Sequence, residues 1–238
     1  VLDVTISMKA PPESVLEAKL AVAEPNVYRT GSLAMIKRVL SEVPAGYDPE
    51  GMVTDYRFYY ALLGRDYGEA QRAIDAYSQP YIQRAGGTRQ PKAIYQATIG
   101  LAQGDMTRAK PFLQTALAFF ESELQRQPLE SQVHMDVALT NAFLGRKEEA
   151  LREGRRAAEL LPESLDARMG VFNSISLAIV YAWTGETEEA LNLIDRLLTT
   201  PAGENLNELR SFWMWDPLRN QPRFKQFLAG PEPKVIYQ

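Results

Sequence analysis

Apolar residues recur every three or four positions along most of the chain, the spacing that puts them on one face of a helix. One stripe runs through Ala109, Phe112, Leu113, Ala116, Leu117 and Phe120. A second runs through Ala150, Leu151, Ala157, Ala158, Leu160 and Leu161 and stops at Pro162. A third takes in Ala190, Leu191, Leu193, Ile194, Leu197 and Leu198. Residues 32–43 are amphipathic and end at Pro44, and residues 12–18 open a helix with proline near its first turn. The pattern predicts an all-α chain.

The polar punctuation between these stripes repeats. Gly104-Asp105-Met106-Thr107-Arg108-Ala109, Gly145-Arg146-Lys147-Glu148-Glu149-Ala150 and Gly185-Glu186-Thr187-Glu188-Glu189-Ala190 align without gaps. Gly64-Arg65-Asp66-Tyr67-Gly68-Glu69-Ala70 reads as the same turn with one extra residue. The glycines stand at 64, 104, 145 and 185, a period of about 40. Each closes one helix, and the acidic residues that follow suit the positive end of the next. Ala97, Ala138 and Ala178, seven residues before a glycine, are small enough to let two helices approach closely.

These residues resemble the tetratricopeptide repeat, a helix–turn–helix unit of about 34 residues. Ala138, Gly145, Ala150, Ala157 and Pro162 carry the resemblance best, and Ala178, Tyr181, Gly185, Ala190 and Pro201 follow. The longer period implies longer helices or longer connections than the family's unit. The resemblance implies an α-solenoid of helical hairpins, a TPR-like superhelix. Residues 1–48 form a degenerate first hairpin, 49–202 four repeats, and 203–238 a C-terminal cap with a capping helix presenting Phe224, Phe227 and Leu228. The wording WDPLRNQPRFKQFL resembles the closing segment of tetratricopeptide regions in bacterial signalling proteins, which follow a kinase, cyclase or winged-helix domain. The chain starts at Val1, and we expect a segment of a longer protein.

Composition narrows the chemistry. The 238 residues are 45% hydrophobic and 24% charged, too apolar for a disordered chain. Lys+Arg of 26 against Asp+Glu of 30 leaves −4, which disfavours a phosphate-binding, nucleic-acid surface. Without cysteine there is no disulfide, thiolate zinc site or cysteine nucleophile, and the lone His134 excludes a histidine-pair metal site. No cofactor or metal is expected, and no apolar run approaches the roughly 20 residues of a membrane span. Residues 1–14 lack the pattern of a signal peptide. The compartment stays open, with the cytoplasm favoured, as does a homodimer.

No catalytic motif is present, so the chain reads as a non-enzyme. Residues 85–88 (AGGT) read as a linker, His134 as a partly exposed helix residue near Asp136, and the pairs Glu148-Glu149 and Glu188-Glu189 as solvated helix starts, Glu148 reaching Arg152. Tyr56, Tyr59, Tyr60, Tyr67, Tyr77, Tyr81 and Tyr95 enrich the first half, as core or as a recognition surface. In the family the first helix of each unit lines the concave face. By register that face receives Ile94, Thr98, Leu101, Met135, Leu139, Phe143, Ile175, Ile179 and Trp183, none of them basic. That argues against the family's carboxylate clamp. An apolar groove has to be filled: by a partner helix or peptide, by this chain's own C-terminal aromatic stretch, or by tight curvature. The expected function is a protein-interaction scaffold, the regulatory or sensory region of a bacterial signalling protein. The alternative is a sensor holding a small hydrophobic ligand.

Overall fold

The computed structural model describes residues 12–83 and 88–235; most of the AGGT linker lies outside them. The described chain is all-α and runs as consecutive packed helix pairs. The first pair is α1 (Pro12–Thr30) and α2 (Ala34–Ser41). A 3-10 turn, Pro49–Gly51, leads to α3 (Met52–Leu63) and α4 (Tyr67–Ala76). Next come α5 (Lys92–Ala102) with α6 (Met106–Arg126), α7 (Ser131–Phe143) with α8 (Lys147–Leu160), and α9 (Met169–Thr184) with α10 (Thr187–Leu197). The chain closes with α11 (Leu206–Ser211), a 3-10 turn Trp213–Leu218, and α12 (Pro222–Ala229). Partners within a pair pack together, and each pair from α3 onward packs on the next.

The turns are built alike. Gly104, Gly145 and Gly185 take left-handed φ values of 72°, 74° and 81°, where a Cβ is disfavoured. Asp105, Arg146 and Glu186 then donate their amides to the carbonyls of Gly100, Asn141 and Tyr181, five residues back. The first turn corrects the sequence alignment. Gly64 has an ordinary φ of −82°, and Arg65 carries the left-handed φ of 54°. The Asp66 amide bonds the Ala61 carbonyl at 2.8 Å, and the Asp66 side chain caps Glu69 as Asp105 caps Arg108. Arg65 is therefore the counterpart of Gly104, and the extra residue disappears.

Ala70, Ala97, Ala109, Ala138, Ala150, Ala178 and Ala190 are all 0% exposed, so the small residues are where helices touch. The long period arises differently in each unit. Between α4 and α5 lies an antiparallel hairpin, β1 (Tyr81–Gln83) and β2 (Arg89–Pro91), with Ile82 opposite Gln90. In the next unit α6 reaches 21 residues, and in the one after residues 161–168 link α8 to α9.

The interior is not one continuous core. Leu16, Leu20, Ala23, Val27, Ile36 and Leu40 of the first pair form a cluster with Val53, Tyr60 and Leu63. A larger cluster runs from Phe58 through Leu101, Phe143 and Ile179 to Trp213, Trp215, Leu218 and Phe224. The last four residues belong to the C-terminal segment, which lies inside the protein.

Candidate functional site

The face shared by α5, α7 and α9 holds most of the nine predicted groove residues, and the C-terminal segment covers it. Phe143, Trp183 and Trp213 form an aromatic triangle, with ring centroids 4.9 Å apart for Phe143–Trp183, 5.6 Å for Phe143–Trp213 and 5.7 Å for Trp183–Trp213. The Trp183 indole donates to the Met214 carbonyl at 2.8 Å. Leu101, Phe143 and Ile179 are buried in the same cluster as Trp213 and Trp215, and Ile94, Leu139, Ile175 and Trp183 pack half-buried against it. Two residues stand apart. Met135 is buried with Ala138, Ala150, Ala157 and Val180, and the Thr98 hydroxyl donates back to Ile94 within its own helix at 2.8 Å. None of the nine is exposed.

The segment is anchored at both ends of the stack. Arg65 pairs with Asp216 at 3.1 Å, and Arg219 donates to the Leu209 and Phe212 carbonyls. The Asn207 amide donates to the Tyr28 carbonyl at 2.9 Å, so residues near the C-terminus touch the first pair. At the other end Arg223, just inside α12, pairs with Asp195 of α10 at 3.0 Å.

The candidate chemical residues are engaged by neighbouring groups. His134 is buried, where the sequence pattern predicts partial exposure. Its Nδ1 lies 2.7 Å from a Glu153 carboxylate oxygen and its Nε2 3.0 Å from the Pro128 carbonyl, so both ring nitrogens are engaged. It sits at the edge of a surface cleft of ≈ 570 Å³ whose other walls include Arg152, Glu153, Arg155, Arg156 and Glu159. Arg152 pairs with its neighbour Glu153 at 2.9 Å instead of with Glu148. Among the described residues no three His, Cys, Asp or Glu side chains are grouped to hold a metal, and no helix is long and apolar enough to cross a membrane. Of the seven tyrosines named in the first half, only Tyr81 is exposed.

Two features escape sequence reasoning. One is an apolar rim. Leu129 and Leu165 are 73% and 71% exposed, with Met169 and Phe172 also open to solvent. All four lie in the segments entering α7 and α9, whose first turns are joined by the Asn173 amide donating to the Ser131 hydroxyl at 2.7 Å. Gly170 brings the loop close, since a Cβ there would meet Glu163 and Pro162 backbone at 2.5–2.6 Å. Four large apolar side chains in solvent around two joined helix entrances are a candidate interaction surface. The other is a pair of carboxyls, the buried Glu204 and the half-buried Glu208, set against tyrosines of the first two pairs.

No protein-family model, curated protein or solved structure matches the chain.

Proposed function

We propose that the chain is a non-catalytic protein-interaction module built as a tetratricopeptide-like superhelix, the regulatory region of a larger bacterial signalling protein. Four turns of one geometry, with buried alanines on either side, support the repeat reading. The closing motif around Trp215, Asp216 and Pro217 supports the signalling context by its resemblance to that class. Trp213 and Trp215 pack in one cluster with most of the nine groove positions, which favours a partner contact elsewhere. The same packing favours the interaction module over the alternative of a hydrophobic-ligand sensor.

The observation that carries the interaction reading is the rim of Leu129, Leu165, Met169 and Phe172 at the α7 and α9 entrances. A protein partner presenting its own apolar face would remove these side chains from water, at about 25 cal/mol per Å² buried. The test compares the full chain with Leu129→Glu/Leu165→Glu in co-purification from the native host. A stoichiometric partner retained by the parent and lost by the variant, at equal helical circular dichroism, supports the reading. Equal retention by both removes the rim from the interface, and no retained partner overturns the module reading.

A further inference from the structure

The C-terminal segment meets the first two pairs through an acidic patch in which Glu204 and Tyr60 are buried and Glu24, Tyr28, Tyr59 and Glu208 are half-buried. Glu204 is buried, and its Oε2 has no hydrogen-bond partner. Glu208 accepts from the Tyr59 hydroxyl at 3.1 Å through Oε1 and from the Asn205 amide at 2.7 Å through Oε2. From α1, Glu24 and Tyr28 face this patch, and from α3 Tyr59 and Tyr60, with the Tyr60 hydroxyl donating to Glu24 at 3.2 Å. From the C-terminal tail, Glu232 accepts the Leu206 amide at 3.1 Å. Among the described residues no lysine or arginine hydrogen-bonds or ion-pairs with Glu204 or Glu208. Neighbouring carboxyls drawn out of water without a counter-charge are costly to ionise, and a bound proton removes that cost.

We propose that this contact is a proton-operated clasp between the two ends of the fold: α11 rests on α1 and α3 while Glu204 and Glu208 hold protons, and lifts off when they ionise. Burial pushes Glu204 well above the ordinary carboxyl range, and the Glu208 charge adds to it. Burial likewise pushes Glu208 up to about 7, although its bonds from Tyr59 and Asn205 pull the other way. Burial also raises Tyr28, Tyr59 and Tyr60, so their hydroxyls stay neutral and the titration belongs to the carboxyls. The sign follows from the raised values. Closure is favoured fully below the ordinary value of 4.5 and weakens as pH climbs through the closed-state value. For Glu208 alone, moving from 4.5 in the open state to about 7 in the closed one multiplies the open fraction about thirtyfold between pH 5.5 and 8.5. Trp213, Trp215, Leu218 and Phe224 stay in place, because they are fully buried and the nearby Asp216 is paired with Arg65 and Arg219. The clasp goes beyond the interaction reading and does not depend on any partner.

Hydrogen exchange of the full chain at pH 5.5 and 8.5, corrected for the intrinsic pH dependence, tests it. Amides in residues 20–31 and 204–211 should lose protection about thirtyfold at the higher pH, while α7 and α8 hold theirs. Glu204→Gln/Glu208→Gln should abolish the difference and keep both segments protected at pH 8.5. Equal protection at the two pH values overturns the clasp. So does a uniform loss across all helices, or an unchanged loss in the double variant.

Discussion

Trp213→Ala asks whether the aromatic segment is core or a loosely held occupant. The indole is 1% exposed and sits among Phe143, Trp183 and Phe212 at centroid distances of 5.6, 5.7 and 6.2 Å. A buried tryptophan removes about 150–250 Å² from water, worth about 4–6 kcal/mol at 25 cal/mol per Å². Large-to-small substitutions at such sites lose about 3–5 kcal/mol. One term runs the other way. The Trp213 indole N–H has no partner among the described residues, so its removal returns about 1–3 kcal/mol of desolvation. The expected net loss is about 2 kcal/mol, read from urea unfolding followed by far-ultraviolet circular dichroism with an unchanged m value. Trp213→Phe should lose much less, since it keeps most of the ring and drops the unpartnered N–H. Indole added to the alanine variant should raise its midpoint by refilling the space. A loss under about 1 kcal/mol at unchanged m would refute the argument, and the groove would then be open to an outside occupant.

Three further substitutions probe the turns and the surface charges. Gly145→Ala places a side chain at φ 74° where nothing lies within 4 Å, so its expected loss of about 1 kcal/mol is a backbone effect alone. Arg65→Gly relieves the same backbone but gives up the half-exposed Asp216 pair, and should stay within about 1 kcal/mol of the parent in the same unfolding assay. The Arg196 guanidinium holds the Glu163 carboxyl below its ordinary 4.5, with the Ser174 hydroxyl helping. That contribution is present above 4.5 and lost as pH falls through the lowered value, so Arg196→Ala should flatten the acid side of a stability–pH profile by under about 1 kcal/mol.

The helix pairs were legible because three independent signals coincide: apolar stripes such as Ala109–Phe120, glycines at left-handed positions, and alanines at contacts. The first turn misled because sequence alignment favours glycine on glycine, whereas geometry gives the left-handed place to Arg65. The β-hairpin gives little warning, its strands being only Tyr81–Gln83 and Arg89–Pro91, too short to show alternation. Of the residues that register puts on the concave face, Phe143 and Trp183 pack with Trp213, whereas Met135 packs with Ala150 and Ala157 of α8 and Val180 of α9. The carboxyl pair was invisible because Glu204 and Glu208 lie in a polar stretch that reads as a surface linker. Their burial depends on Tyr59, 149 residues from Glu208.

That separation has a consequence for how the chain comes into being. Most contacts join neighbouring helices, so each pair can form soon after it leaves the ribosome. Asn207 and Glu208, however, complete the bed of Tyr28 and Tyr59, at sequence separations of 179 and 149. Until residues 204–229 emerge, the nascent stack carries a bare apolar trough, the stage at which a chaperone would hold it. A linear repeat array tolerates loss of its final unit by shortening. Here loss of residues 204–229 would strip the interior of Trp213, Trp215 and Phe224 and open the preceding pairs to water.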